Sequence, residues 1–221
     1  MSKIAWVAGA SGLVGQQIVE QLTQDSDFSR IIAFVRHPLN VPSFAHDKVE
    51  QFTVDFSKLN APSKKVDALF CALGSTTKKT PNKDDYFRID VTYPLEFAKL
   101  GLSHKAEYYG LVSAHGASSS SFSSYLKMKG TLELELEKLH FKKLAIARPS
   151  LLKGNRGEFR LLEKASEAFL DLMPGNYKAI DAKNVAASLI AAAKKSSEKI
   201  RILSSKEMQK PTYIDFPAQY L

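Results

Sequence analysis

Short apolar runs alternate with amphipathic stretches from the first residues of the chain. Ile4 to Ala8 (IAWVA), Arg30 to Arg36 (RIIAFVR), Val49 to Asp55 (VEQFTVD), Val66 to Leu73 (VDALFCAL), Tyr108 to Ala114 (YYGLVSA) and Lys143 to Pro149 (KLAIARP) are brief and mostly bounded by turn or charged residues, so they predict strands. Several are apolar at nearly every position, as strands buried on both faces are. Between them, spacing and turn residues predict helices over Leu13 to Gln24, from about Pro81 to Lys105 with a bend at Pro94, and over Ser124 to His140. Strands and helices in alternation predict an α/β fold: a doubly wound parallel sheet with right-handed crossovers and helices on both faces.

Past Pro149 the rhythm changes. Glu158 to Leu172 and Ala182 to Lys195 predict two further amphipathic helices, the second capped by Asp181, and Ile200 to Leu203 a last strand. No stretch rich in Pro, Gly or Ser is long enough to separate a second domain, and no internal repeat is present. One domain over residues 1–221 is expected, with residues 150–198 forming a small helical lobe on the substrate side. The serine-rich patch ASSSSFSS, Ala117 to Ser124, reads either as a surface loop or as a mobile flap beside a site.

With 221 residues, 44% of them hydrophobic, the chain can bury an ample single core. No apolar run approaches the roughly 18 residues a membrane span needs, and MSKIAWVAGASG enters a strand too soon to leave room for a signal peptide, which points to the cytoplasm. Cys71 is the single cysteine; set inside ALFCAL it reads as a small core residue, and no internal disulfide can form. The net charge of +8 raises the question of nucleic acid, but the lysines are scattered singly or in pairs without interleaved aromatics. That is a solvated, mildly basic surface whose field suits an anionic cofactor or substrate. No metal site is expected.

The chemistry concentrates at two places. GASGLVG, with Gly9, Gly12 and Gly15, follows the first strand and opens the first helix, where a dinucleotide fingerprint belongs. Gly9 permits the tight turn, Gly12 lets amides approach a pyrophosphate, and Gly15 allows the helix to lie close on the sheet. The spacing is GxxGxxG, a variant of the commoner GxGxxG. At the end of the second strand Arg36 stands where many NAD sites carry an acid; an arginine fork clamps a 2′-phosphate that a carboxylate would repel, so NADP(H) is preferred over NAD(H). Asp55, ending the third strand, could reach the adenine side, and Gly74 and Ser75 close the fourth strand at the same rim.

The second place is SSYLKMKG. Ser113 ends the fifth strand, and Tyr125 and Lys129, four apart, share a face of the next helix. If catalytic, Tyr125 gives or takes the substrate proton, Ser113 hydrogen-bonds the substrate oxygen, and Lys129 binds the nicotinamide ribose and lowers the phenol pKa. Lowering that pKa from about 10 toward 7 takes some 4 kcal/mol. A wet helix pair supplies about 0.3–0.5 kcal/mol, so the scheme demands a partly desolvated site. His115, two residues past Ser113, reads as a hydrogen-bonded loop histidine, with an auxiliary acid or substrate contact as the alternative.

GASGLVG, Arg36, CALGSTTKK, FRIDVTY, LVSAHGA, YLKMKG and ARPSLL, in this order from Ile4 to Glu158, resemble an atypical short-chain dehydrogenase/reductase of Rossmann type, closest to the Tat-interacting-protein oxidoreductase branch. The resemblance implies NADP(H) at Ser11, Gly12, Leu13, Val14, Arg36, Leu73, Gly74, Tyr125, Lys129 and Leu152, with Arg156 a weaker carry-over, and Tyr125 as proton donor or acceptor. Asp90 departs from related extended reductases, in which an asparagine near this position serves a water relay. The expected function is an NADP(H)-dependent oxidoreductase passing hydride between nicotinamide and a small carbonyl or alcohol substrate. The alternatives are a non-catalytic NADP(H)-sensing regulatory module with a protein partner and, last, a nucleotide-sugar epimerase, for whose substrate the short carboxy-terminal region leaves limited material.

Overall fold

The computed structural model describes residues 2–62, 65–75, 80–153, 178–195 and 197–210. Its strands are β1 (Lys3–Ala8), β2 (Phe28–Val35), β3 (Val49–Thr53), β4 (Ala68–Cys71), β5 (Tyr108–Val112), β6 (Lys143–Arg148), β7 (Leu152–Lys153), β8 (Ile180–Asp181) and β9 (Ile200–Ser204). Seven of them form one parallel sheet in the order β3-β2-β1-β4-β5-β6-β9, while β7 and β8 pair separately. β1 lies between β2 and β4, so the chain winds outward in both directions from it. Ligands of such sheets bind outside the carboxyl ends of the strands at this reversal. The expected Rossmann-type α/β fold is the one observed.

Two apolar layers clothe the sheet. Helices α1 (Leu13–Gln24) and α5 (Ala182–Lys195) bury Val14, Ile18, Val185 and Leu189 on one face. On the other, α3 (Tyr93–Ser103) and α4 (Ser124–Glu137) cover Trp6, Phe34, Leu69 and Tyr109. Asp181 caps α5 by accepting the Lys183 amide at 2.9 Å, as its sequence suggested. α5 is the crossover from β6 to β9 and packs on α1, so this part of the expected lobe belongs to the sheet's own helical layer. The helix expected at Glu158 to Leu172 lies outside the described residues. A short helix, α6 (Ser205–Met208), follows β9. Cys71 is a core residue, its thiol pKa pushed up by burial.

The long helix expected from Pro81 to Lys105 is broken into α2 (Lys83–Phe87), a π-helical turn (Arg88–Thr92) and α3. Pro94 is the cause. It has no N–H for the carbonyl four residues back, that of Asp90, and its ring crowds that carbonyl. The turn widens so that the Tyr93 amide bonds the Arg88 carbonyl, five residues back. The widening falls on Asp90, which is wholly buried.

Candidate cofactor and active site

The glycine turn has the shape its sequence requires. Gly9 takes φ +75°, in the left-handed region, and a side chain there would meet the backbone of Ala72 at 2.5 Å. Gly15 brings α1 onto the turn so closely that a Cβ would stand 2.1 Å from the Gly9 carbonyl oxygen. Gly12 is the N-cap residue of α1 and supplies no side-chain acceptor, leaving the first-turn amides of Leu13 and Val14 to a ligand. An anion at this helix N-terminus gains from both the amides and the dipole. Ser11 is exposed beside them. Arg36, also exposed, is the first residue past β2, on the same edge as the glycine turn. Asp55 accepts the Ser57 amide and hydroxyl, each at 2.8 Å, capping the short helical turn Phe56–Lys58. Those two bonds, the backbone one foremost, hold its pKa below the usual value.

Tyr125 lies in the first turn of α4, whose N-cap Ser123 accepts the Leu126 amide. Lys129 and Glu133 follow at four-residue steps on the same face, each about 6 Å farther along the axis. The phenol is therefore at the rim, 37% exposed; the ammonium is one turn in and buried, and the Glu133 carboxylate two turns in and buried. Lys129 Nζ lies 5.9 Å from the centre of the Tyr125 ring and 2.9 Å from Asp90 Oδ1. The other Asp90 oxygen accepts the Ser75 amide at 2.8 Å, and Ser75 and Thr80 join hydroxyls at 2.7 Å. Gly74 and Ser75 thus stand beside the buried ion pair, while Leu73 packs on the apolar cluster that includes Trp6.

The electrostatics differ from the expectation. Burial raises the Tyr125 pKa, the Lys129 ammonium lowers it and Asp90 raises it again, leaving the phenol above its ordinary value. Burial works against the Lys129 charge, but Asp90 and Tyr125 outweigh it and hold this lysine above the usual range. Tyr86, packed near both, is pushed up to about 12, first by burial and then by Asp90 and Tyr125.

The Ser113 hydroxyl is bonded elsewhere, to Glu133. Ser113 is buried and donates to Glu133 Oε1, while the Arg148 guanidinium holds Glu133 through both carboxylate oxygens, with Nε at 3.1 Å from Oε1. Ser113 follows directly on the last residue of β5, its amide bonded to the Ala147 carbonyl at 2.8 Å, and its hydroxyl meets α4 at Glu133, two four-residue steps from Tyr125. Neither Glu133 nor Arg148 was picked out by sequence reasoning, although Glu133 is one helical step past Lys129. His115 is half-buried and bonds the Pro149 carbonyl through its amide at 2.8 Å. The serine-rich loop is fastened at its start, with the Ser118 amide on the Leu126 carbonyl and its backbone so close to Gly130 that a Cβ would be 2.2 Å away. Phe122 projects fully into solvent. Leu152 lies in β7; Arg156 is outside the described residues.

Residues 9–196 match the family model described as NAD(P)H-binding. The chain belongs to this family. The resemblance to an atypical short-chain dehydrogenase/reductase of the Tat-interacting-protein branch holds as well: the rat (Rattus norvegicus) protein HTATIP2 is 32% identical over 179 residues, 80% of this chain and 74% of the relative. Protein FMP52 of Candida glabrata is 32% identical over 157 residues, 71% and 67% of the two chains. That relative is mitochondrial by name, which differs from the cytoplasmic location expected here. Among solved structures, a UDP-N-acetylglucosamine 4-epimerase from Methanobrevibacter ruminantium M1 superposes with TM-score 0.67 at 16% identity, covering 92% of this chain and 76% of that one. Alfalfa vestitone reductase gives 0.66 at 14%, covering 92% and 77%. Likeness at such identity is likeness of fold. Among the described residues no helix is long and apolar enough to cross a membrane, and no group of His, Cys, Asp and Glu could hold a metal ion.

Proposed function

We propose that this NAD(P)H-binding protein is an NADP(H)-dependent oxidoreductase that passes a hydride between the nicotinamide and a small carbonyl or alcohol substrate. The observation that carries the reading is the Tyr125 phenol at the rim of the sheet, backed by the desolvated Lys129 ammonium and sharing that rim with the glycine turn. The backbone of Gly9, Ser11, Gly12 and Gly15 with the amides of Leu13 and Val14 would hold the pyrophosphate, and Arg36 the 2′-phosphate. Leu73, Gly74, Leu152 and Lys129 would border the nicotinamide ribose. When bound, the nicotinamide supplies or accepts the hydride. In reduction Tyr125 gives its proton to the carbonyl oxygen; in oxidation it takes the alcohol proton.

Tyr125→Phe should lower turnover on a carbonyl panel by about two orders of magnitude or more, the scale of general acid–base catalysis, with the NADPH dissociation constant unchanged by calorimetry. Undiminished turnover would refute the role. One observation favours a second reading, a cofactor-sensing module that binds a protein partner: the Ser113 hydroxyl is already given to Glu133 rather than poised for a substrate oxygen. NADPH-dependent capture of a defined partner with no turnover on any carbonyl would decide for it.

A further inference from the structure

Asp90 is wholly buried, yet the hydride-transfer scheme gives it no part. It is brought inward by the π-helical turn that Pro94 imposes, and its two oxygens serve different elements. Oδ1 lies 2.9 Å from the Lys129 ammonium on α4, and Oδ2 accepts the Ser75 amide in the loop after β4. A Cβ built on Gly74 would stand 3.6 Å from both the carboxylate and the ammonium, so the pair abuts the same loop. From Tyr125, with Nζ 5.9 Å from its ring centre, Lys129 is one end of an ion pair and not a lone cation. The attraction of a neutral pair for a developing phenolate is far weaker than that of a bare ammonium.

We propose that Asp90 is a positioning residue that cancels the Lys129 charge at Tyr125 and keeps the phenol protonated, so that the base form needed for alcohol oxidation appears only at alkaline pH. The inference rests on the redox reading above. In reduction the carbonyl carbon receives hydride from the reduced nicotinamide, the carbonyl oxygen receives the phenol proton, and the tyrosinate left behind regains a proton from solvent. Oxidation requires that tyrosinate first, and Asp90 opposes its formation. Among the described residues, the ionisable groups that face Tyr125 are Lys129 from its own helix, Asp90 from the π-helical turn and Tyr86 from α2. The directions of their influence agree with the geometry: the ammonium favours the phenolate, and the carboxylate disfavours it.

The test is a spectrophotometric titration of the tyrosinate band, each protein read against its own Tyr125→Phe counterpart so that only Tyr125 is followed. D90N should titrate about one pH unit below wild type, a tenfold change in the proton equilibrium. The pH profile of alcohol oxidation should also reach its half-maximum about one pH unit lower in D90N. An unmoved or upward titration overturns the proposal. Should D90N not fold with its lysine left unpaired, K129M and K129M/D90N read the same carboxylate, the double variant having neutral groups in place of the whole pair. Tyr125 should then titrate about tenfold higher in K129M than in the double variant, and identical curves overturn the proposal. If the titrations move as stated while no carbonyl is turned over, the charge arrangement stands and the redox reading falls. If Y125F abolishes turnover but the titrations coincide, the reverse holds.

Discussion

Arg148→Met removes the guanidinium that holds Glu133, one helical step past Lys129. Glu133 is 3% exposed, and with methionine beside it only the Ser113 hydroxyl remains as a partner among its present bonds. Breaking a fully buried ion pair by deleting one side costs about 3–5 kcal/mol, chiefly for the charge left behind. The Arg148 side chain is 30% exposed, so water can reach part of the vacated space and the cost falls to about 2–3 kcal/mol. For a chain of this length each kcal/mol lowers the melting temperature by about 2–4 °C, so a loss of about 5–10 °C is expected. Urea unfolding followed by circular dichroism should show a lower midpoint at constant slope. Glu133→Gln in the same chain removes the stranded charge and should recover all but about 1 kcal/mol, giving a double-mutant coupling of at least about 1 kcal/mol. A loss under about 0.5 kcal/mol for Arg148→Met would refute the view that this pair is a desolvated element of the fold.

Two further outcomes follow from the same geometry. Arg36→Ala should weaken NADPH binding at least about tenfold, as expected for a lost charge-assisted bond of about 1.5–3 kcal/mol, and leave NADH untouched; equal losses for both nucleotides would show that Arg36 does not read the 2′-phosphate. The fold favours protonated Tyr86, with a pKa of about 12 against an ordinary value of 10, so its stabilising contribution is complete below pH 10 and fades as the pH climbs from 10 to 12. Buried Tyr108 and Tyr109, raised by burial, and Lys129, raised by its partners, act in the same direction. Stability measured by urea unfolding should drop across that window, and Tyr86→Phe should make the drop shallower; an unaltered slope would show that Tyr86 titrates normally.

Much of the fold is legible because single residues decide it locally. The seven sheet strands fall where apolar runs end in turn residues, and Gly9 and Gly15 sit where a positive φ and a backbone contact leave no room for a side chain. Tyr125 and Lys129 share a helix face through spacing alone. What is not legible depends on backbone detail between elements. Pro94 announces a bend, but that the bend is a widened turn carrying Asp90 onto Lys129 depends on how α2 and α3 meet α4. Glu133 is hidden for another reason: α4 reads as charged all round, SYLKMKGTLELELE, so apolar periodicity does not reveal that its buried stripe includes a lysine and a glutamate. A step of four from Lys129 would have found it. Extending the fifth strand to Ala114 puts Ser113 at the rim; the ladder ends at Val112, and the hydroxyl is given to Glu133.

The pairing of α1 with α5 spans almost the whole chain. Gln21 Nε2 donates to the Lys183 carbonyl at 2.9 Å, and Lys194 holds Asp25 at 2.9 Å and Asp27 at 3.1 Å. On a ribosome adding about 5–20 residues per second, α1 would wait some 10 to 30 seconds for this cover. Over that interval Ile18, Leu22 and the β1–β2 surface lack one of their two layers, since they are made well before α5. The nascent chain therefore carries an exposed apolar face until α5 is made, and a product released before residue 195 would be a substrate for chaperones or proteases rather than a shorter version of the same protein.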